Sequence, residues 1–241
     1  MIAFLSSSPC IYGAPRALLN PENDFVDNLF SCLPPNPCCL FICSDPDDYG
    51  FTDRVSSEMA SAFLESGIVF SKLLKLDRRN QNDAQLLIWQ ADLIILSGGH
   101  VPTQNVFFHE IHLKELLANY QGVVLGISAG TMNADERVYV QPEESGESAP
   151  EFQRFLKGLG ITHVNVLPHY QQVKDYMLDG RRLYEDITFA DSNGECFFVF
   201  VDGTYLIVED DMTTLYGKAY RLSDGKMEQI SELNDIVLLE D

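Results

Sequence analysis

The residues best suited to chemistry lie in the segment Val123-Val124-Leu125-Gly126-Ile127-Ser128-Ala129-Gly130, where an apolar run leads directly into the pattern Gly-x-Ser-x-Gly. Glycines two residues to either side of Ser128 leave room for the tight strand-to-helix turn that exposes a nucleophilic hydroxyl. A helix that begins at Ala129 would direct unpaired backbone N–H groups at an oxyanion. The pattern therefore favours a serine nucleophile, with a glycine-rich strand end as the alternative.

The five histidines of the chain provide the candidates for the base that such a serine needs. His169 follows the predicted strand Val164–Leu167 at its carboxyl end, where open α/β sheets place their active sites, so it is the preferred base. His163 is a candidate core residue of that strand. His109 and His112 lie three apart in a predicted helix, where an exposed face is the preferred interpretation. The zinc motif spaces its histidines four apart, so no metal site is predicted.

A second turn contains two glycines, Gly98 and Gly99, between the apolar run 93–96 and His100. Glycines let the backbone approach a ligand closely, so an N–H group of this turn could complete an oxyanion hole. An ordinary strand-to-helix turn explains the same residues almost equally well. We predict Gly98 and His100 as substrate-binding residues on this basis.

A catalytic triad also needs a carboxylate that orients the imidazole and stabilises its charged form. Several acidic residues have a suitable place in the chain, and spacing alone does not choose among Asp135, Glu136, Asp175, Asp179 and Asp202. The residues by themselves therefore leave the third member open.

The elements that must position these side chains follow from the hydrophobic pattern. Short apolar runs alternate with amphipathic helical stretches, which is typical of a mostly parallel sheet with helices on both faces. The predicted strands of this part are Ile2–Leu5, Leu40–Cys43, Ile68–Leu74, Leu93–Leu96, Val123–Gly126 and Val164–Leu167. Helices are predicted around 55–63, 86–89 and 107–117, and Gly67 is expected to end the first.

The character of the chain changes towards its C-terminus. Three short strands joined by turns are predicted there, at Cys196–Val201, Thr204–Glu209 and Lys218–Leu222. No stretch is rich enough in proline, glycine or serine to act as a linker. We therefore predict a three-layer α/β fold with a β-rich C-terminal part, in a single domain over residues 1–241.

Composition excludes several classes of partner. The 36 acidic and 16 basic residues give a formal net charge of −20, which repels nucleic-acid backbones and anionic membranes. No apolar run approaches the roughly 20 residues that cross a bilayer. The six cysteines contain no Cys-x-x-Cys pair and suit a reducing compartment. We expect a cytoplasmic protein, a monomer or a homodimer, that uses no cofactor or metal and binds neither nucleic acid nor membranes.

Taken in order, these segments resemble the dipeptidase E and cyanophycinase family of serine peptidases. The resemblance rests on an apolar strand ending in Ser6-Ser7-Ser8, the strand and glycine turn over 93–100, the elbow over 126–130, Asn165-Val166-Leu167-Pro168-His169-Tyr170 and Asp202-Gly203-Thr204-Tyr205-Leu206. It implies a fold related to the class I glutamine amidotransferases. It also implies Ser128 as the nucleophile, His169 as the general base and Asp202 as the third member. The backbone N–H groups of Gly99 and Ala129 would form the oxyanion hole.

The chain departs from the family pattern at positions that bear on the substrate. Asp202 stands where the family has glutamate, and His100 stands where the family's glycine turn ends in asparagine. The family's arginine for a substrate aspartate has no counterpart at the same position, but Arg181 and Arg182 lie one or two positions away. We predict that these arginines hold a substrate carboxylate, with a solvated helix start as the alternative.

The elbow and the resemblance together predict a serine-type exopeptidase or dipeptidase that hydrolyses small peptides, with an N-terminal aspartate as one candidate preference. In this reading Ser128 attacks the carbonyl carbon, His169 carries the proton, and water resolves the acyl-enzyme. Two alternatives stay open. One is a non-catalytic ligand-binding protein with the same fold, and the other is an esterase or a cyanophycin- or isoaspartyl-type hydrolase with the same triad.

Overall fold

A computed structural model describes residues 1–11 and 13–239 of the chain. Its strands are β1 (Ile2–Ser6), β2 (Cys38–Ile42), β3 (Lys72–Leu76), β4 (Leu93–Leu96), β5 (Val123–Ile127), β6 (Arg137–Tyr139), β7 (Phe155–Lys157), β8 (Asn165–Leu167), β9 (Met177–Leu178), β10 (Arg181–Arg182), β11 (Cys196–Phe200), β12 (Tyr205–Glu209), β13 (Met212–Tyr216), β14 (Ala219–Ser223), β15 (Lys226–Ser231) and β16 (Ile236–Leu239).

Helices separate many of these strands. The α-helices are α1 (Phe25–Ser31), α2 (Tyr49–Glu65), α3 (Ala84–Gln90), α4 (Val101–Glu110), α5 (Leu113–Leu117), α6 (Ala129–Met132), α7 (Tyr170–Val173) and α8 (Phe189–Asp191). Two 3-10 helices span Glu22–Asp24 and Arg78–Asp83, and a π-helical segment spans Leu183–Thr188. Within the described ranges, no helix combines the length and the apolar character that crossing a membrane requires.

The largest sheet has eight strands in the order β16-β13-β12-β1-β5-β4-β2-β3. The five strands β1, β5, β4, β2 and β3 run parallel. Strands β12, β13 and β16 extend the sheet beyond β1 by antiparallel pairing. The predicted mostly parallel sheet is confirmed, and its parallel strands place their carboxyl ends at one common edge.

Alternate residues of the central strands enter two apolar cores, one on each face of the sheet. In β4, Ile94 and Leu96 belong to one core, whereas Leu93 and Ile95 belong to the other. Helices α3, α4 and α5 cover the first face, and helices α1 and α2 cover the second. The predicted three-layer arrangement is therefore confirmed. It explains why these strands are apolar at consecutive positions.

The C-terminal strands divide between two sheets. β12, β13 and β16 join the central sheet, whereas β14, β15 and β11 form a four-stranded sheet with β8. The predicted strand Val164–Leu167 forms as β8, but it pairs in parallel with β11 in this second sheet. The carboxyl ends of β8 and β11 thereby lie side by side, which matters for the site described below.

Some predicted elements differ from those observed. The strand predicted at Ile68–Leu74 begins only at β3, because the Ile68 N–H donates to Phe63 O and still closes the end of α2 after Gly67. The helix predicted over 107–117 is broken at His112, whose φ of 53° separates α4 from α5. His163, a candidate core residue, lies instead at the surface with its side chain 75% exposed.

Candidate active site

The serine elbow forms where β5 ends beside β1. Ser128 has φ 51° and ψ −112°, a conformation that residues with a side chain rarely adopt, and α6 begins at the next residue. The Ser128 N–H donates to Ser6 O at 3.1 Å, and Thr131 Oγ1 donates to the same oxygen at 2.8 Å. These two bonds tie the strained turn to the end of β1. They hold Ser128 at the carboxyl edge of the sheet.

The glycines of the elbow are required by close packing. A Cβ atom added to Gly130 would lie 2.2 Å from the backbone oxygen of Leu96 in β4. A Cβ atom on Gly126 would lie 3.0 Å from Leu5 and from Thr131. Any side chain at these positions would push α6 away from the sheet, which accounts for both glycines of the pattern.

The glycine turn after β4 lies directly beside the elbow. A Cβ atom on Gly98 would lie 3.3 Å from Ser128 Cβ, and one on Gly99, whose φ is 154°, would lie 2.3 Å from Ser44 Oγ. Ala129 is the first residue of α6, so its N–H group has no acceptor within the helix. This arrangement is compatible with an oxyanion hole formed by Gly99 and Ala129, which stays a prediction.

His169 stands two residues beyond β8 and has a left-handed backbone with φ 60°. Its Nδ1 lies 2.6 Å from Asp202 Oδ1, and Asp202 stands two residues beyond β11. Because an ionised carboxylate only accepts hydrogen bonds, Nδ1 carries the proton and Nε2 is left as the basic nitrogen. The neighbouring parallel strands thus deliver an imidazole and a carboxylate to the same point. Asp202 is one of the five carboxylates that spacing left open.

The carboxylate of Asp202 is held by three side-chain donors. Besides His169, it accepts a hydrogen bond of 2.8 Å from Ser7 Oγ and one from Gln172 Nε2. Its side chain is only 7% exposed. Burial by itself would raise the pKa of Asp202, but the hydrogen bond and charge of His169, with the bonds from Ser7 and Gln172, outweigh burial and lower it. Asp202 is therefore held as an anion beside the imidazole.

Ser128 and His169 line one cleft of about 190 Å³ at this edge of the sheet. Most of the described residues that line the cleft are uncharged, such as Met132 and Val173. Besides His169, Glu143 is the one described lining residue with an acidic or basic side chain. The His169 side chain is hydrogen-bonded to Asp202. Within residues 1–11 and 13–239, it forms no hydrogen bond with Ser128. In unliganded enzymes this contact is often long and tightens only when substrate binds.

A larger cavity of about 1070 Å³ lies elsewhere in the molecule. It is found at the opposite ends of the strands, around Ile2 and Val123, and includes none of the predicted site residues. The choice of the smaller cleft as the candidate site therefore does not rest on its size. It rests on the position of that cleft at the carboxyl ends of the parallel strands.

Three predicted substrate-binding residues are engaged elsewhere. His100 Nδ1 lies 2.7 Å from Thr103 Oγ1, and its Nε2 lies 2.9 Å from Glu147 Oε1. Arg182 pairs with Asp186. Neither these residues nor Arg181 belongs to the lining of the cleft. Arg181 donates instead to the backbone oxygens of residues 148 and 186. A direct substrate contact by these three residues stays a prediction, and it would require them to exchange these partners for the substrate.

The described residues contain one group of side chains with metal-ligand character. Potential ligand atoms of His100, Glu144 and Glu147 lie within 4.8 Å of one another. However, both oxygens of Glu147 already accept hydrogen bonds, from His100 and from the backbone N–H groups of Glu143 and Glu144. The cluster therefore joins the loop after residue 142 to the glycine turn.

Sequence reasoning missed several residues that shape the site. Ser7 Oγ accepts a 2.8 Å hydrogen bond from the His169 N–H and donates to Asp202, so one hydroxyl bridges both residues. Gln171 Oε1 accepts a hydrogen bond from the Asp202 N–H, and Gln172 binds the carboxylate. Ser7 could have been identified because it follows β1, which is the parallel neighbour of β5. The glutamines carried no such signal.

Comparisons with known proteins agree with this architecture. The crystal structure of a protein from Listeria monocytogenes EGD-e, provisionally named a peptidase E protein, superimposes with a TM-score of 0.58. The match covers 95% of this chain and 98% of that chain at 14% identity, so it shows a common fold. No curated protein matches the sequence. The profile of Peptidase family S51 matches residues 40–216, in agreement with the resemblance to dipeptidase E, and the chain therefore belongs to peptidase family S51.

Proposed function

We propose that this peptidase is a serine-type exopeptidase that hydrolyses small peptides, in the manner of a dipeptidase, through Ser128, His169 and Asp202. The observation that carries the proposal is the position of His169. Its Nδ1 is bonded to Asp202, and its ring lines the same cleft as the strained Ser128. The modest size and mostly uncharged lining of that cleft suit a short peptide better than a folded protein.

The proposed reaction uses two groups of this site, Ser128 Oγ as the nucleophile and His169 Nε2 as the base. Ser128 Oγ attacks the peptide carbonyl carbon while His169 Nε2 takes the hydroxyl proton, and Asp202 stabilises the imidazolium that forms. Backbone N–H groups at Gly99 and Ala129 would bind the oxyanion. His169 then protonates the leaving amine. Water attacks the acyl-enzyme with the same proton transfers and releases the second product.

A fluorophosphonate probe and a dipeptide panel test this proposal together. We expect covalent labelling at Ser128 in the wild-type protein and none in Ser128→Ala. Dipeptide hydrolysis should fall by at least about 10³-fold in Ser128→Ala and in His169→Ala. His163→Ala is a matched control, because that histidine is exposed and pairs only with Glu136, and it should keep wild-type activity. Labelling at another residue, or unchanged hydrolysis in Ser128→Ala, would contradict the proposed mechanism.

The proposal extends to the setting of the enzyme. All six cysteines are free thiols in the structure, which supports a reducing compartment such as the cytoplasm. The strongly negative net charge supports a protein that keeps away from nucleic acid and anionic membranes. We propose a cytoplasmic enzyme that works as a monomer or homodimer on small peptides. Fractionation and light scattering of the native protein would test both points.

A further inference from the structure

The charge of the cleft favours basic over acidic substrates. Among the described residues that line the cleft, His169 and Glu143 are the only ones with an acidic or basic side chain. None of these lining residues is a lysine or an arginine. Arg182 is paired with Asp186, and Arg181 is bonded to backbone oxygens outside the cleft. A substrate carboxylate that entered here would meet another carboxylate and no cation to offset it.

Glu143 is fixed at the cleft by its own loop. The Glu143 N–H donates to Glu147 Oε2 at 2.9 Å, and Glu147 Oε1 is bonded to His100 beside the glycine turn. The later residues of the loop are held by Asp179, which lies outside it. Asp179 accepts hydrogen bonds from Ser145 Oγ, from the N–H of residue 146 and from Ser148 Oγ. Two carboxylates therefore anchor the segment 143–148 at both ends. The position of Glu143 is built into the structure rather than left to a free loop.

Glu143 is an exposed residue of the cleft lining, so a ligand in the cleft can reach its side chain. Burial raises the pKa of Glu143, the charges of Glu147 and Glu144 act in the same direction, and His100 with the Val101 N–H opposes them. A carboxylate that lies next to other carboxylates is stabilised by a nearby cation. The net charge of −20 adds a field that attracts cations towards the protein.

We propose that Glu143 binds a positively charged group of the substrate, so that the cleft selects peptides that carry an ammonium or guanidinium group near the bond attacked by Ser128. This inference rests on the proposed peptidase function and names its substrate class. The cation has two possible sources, the free α-amino group of the peptide and the side chain of a basic residue. Both use the same chemistry, a charged hydrogen bond to the carboxylate.

Binding to Ser128→Ala protein tests this contact without any turnover. Three dipeptides separate the sources of charge: Leu-Leu carries only an α-ammonium group, N-acetyl-Lys-Leu carries only a side-chain ammonium group, and N-acetyl-Leu-Leu carries neither. Isothermal titration should show that at least one cationic dipeptide binds about tenfold or more tightly than N-acetyl-Leu-Leu, the range of a charged hydrogen bond. The dipeptide that binds more tightly identifies which positively charged group Glu143 contacts. Equal affinities for all three, or no binding by any, would overturn the proposal.

Two substitutions assign the effect to Glu143. In the Ser128→Ala background, Glu143→Gln should remove the higher affinity for the cationic dipeptide. Glu143→Lys should raise the affinity for Asp-Leu relative to the affinity for the cationic dipeptide. Glu151→Gln is the matched control, because it changes the net charge equally at an exposed residue outside the cleft lining, and it should leave the preference intact. A preference that survives in Glu143→Gln, or that is lost equally in Glu151→Gln, would refute a role for this carboxylate.

Hydrolysis assays keep this inference separate from the proposed function. If Ser128 has covalent activity but Glu143→Gln leaves the dipeptide preference unchanged, the peptidase function stands and the Glu143 contact fails. If the cationic dipeptides bind through Glu143 but the wild-type protein hydrolyses none of them, the contact stands and the proposed function fails.

Discussion

Replacing Ser7 by alanine removes a hydroxyl that lies between the two residues of the His169–Asp202 pair. Ser7 is fully buried at the end of β1. Its Oγ donates to Asp202 Oδ1 at 2.8 Å and accepts from the His169 N–H at 2.8 Å. Alanine is smaller and fits the same space, so the substitution deletes both hydrogen bonds without a steric clash. The bond to the carboxylate is charged, and the bond from the backbone is neutral.

The expected loss of stability follows from these two bonds. A hydrogen bond to a charged group contributes about 1.5–3 kcal/mol and a neutral one about 0.5–1.5 kcal/mol. Ser7→Ala should therefore lower the free energy of unfolding by about 2–4.5 kcal/mol at neutral pH. We expect kcat/KM to fall by about tenfold as well, because His169 loses one of the contacts that fix its backbone.

Urea unfolding at several pH values provides the assay. The pKa of Asp202 is held below its ordinary value in the folded protein, so its stabilisation is present above the unfolded pKa and is lost as the pH falls through the folded pKa. The bond from Ser7 contributes to that lowering. The difference between wild type and Ser7→Ala should therefore narrow as the pH drops below about 4, near the ordinary pKa of aspartate.

Ser8→Ala is the control for this experiment. Ser8 adjoins Ser7 in sequence, but among residues 1–11 and 13–239 its Oγ bonds to the backbone of Cys10 alone. We expect these two neutral hydrogen bonds to give a loss of about 1–3 kcal/mol, smaller than that in Ser7→Ala, and no change in kcat/KM for this variant. If Ser7→Ala were no less stable and no less active than Ser8→Ala, the reasoning that links Ser7 to the His169–Asp202 pair would be refuted.

Three further substitutions test carboxylates that residue spacing alone did not distinguish. Asp202→Asn should lower kcat by about 10³–10⁴-fold, because an amide cannot stabilise the His169 imidazolium. Asp175→Asn, at an exposed residue, should keep wild-type activity, and similar losses in both would contradict the assignment. Asp135 is buried with one unpartnered oxygen among the described residues, and burial raises its pKa to about 6. The wild type should therefore lose stability as the pH rises through 6. The stability of Asp135→Asn relative to wild type should increase by about 3 kcal/mol between pH 4 and 7, and a flat difference in urea unfolding would count against this account.

The sequence could predict the parts of this protein that depend on local physics. An apolar run followed by glycines on either side of Ser128 predicts a strand and a tight turn, because only residues without side chains fit where α6 meets Leu96. The same local reasoning places the end of α2 at Gly67. Local reasoning fails for the helix predicted over 107–117, because the left-handed backbone conformation of His112 leaves no signature in the hydrophobic pattern.

The substrate-binding residues show where a resemblance is not enough. Arg181 and Arg182 lie near the expected place in the chain, but Asp186 and nearby backbone oxygens take their guanidinium groups. Glu143, which has no motif, lines the cleft instead. A residue's nearest competing partner decides whether it can reach a ligand, and spacing along the chain does not reveal that partner.

The amino-acid sequence by itself determined the elbow at Ser128, the layered α/β class and the candidacy of His169, because each depends on residues that are neighbours in the chain. Residue spacing left the partner carboxylate of His169 open and the family resemblance only implied it, so the tertiary structure decided that Asp202, 33 residues further on, meets His169. The physical reason is strand adjacency. β8 and β11 pair in parallel, so the side chains two residues beyond each strand emerge at the same edge, and that pairing is chosen by the packing of the whole second sheet.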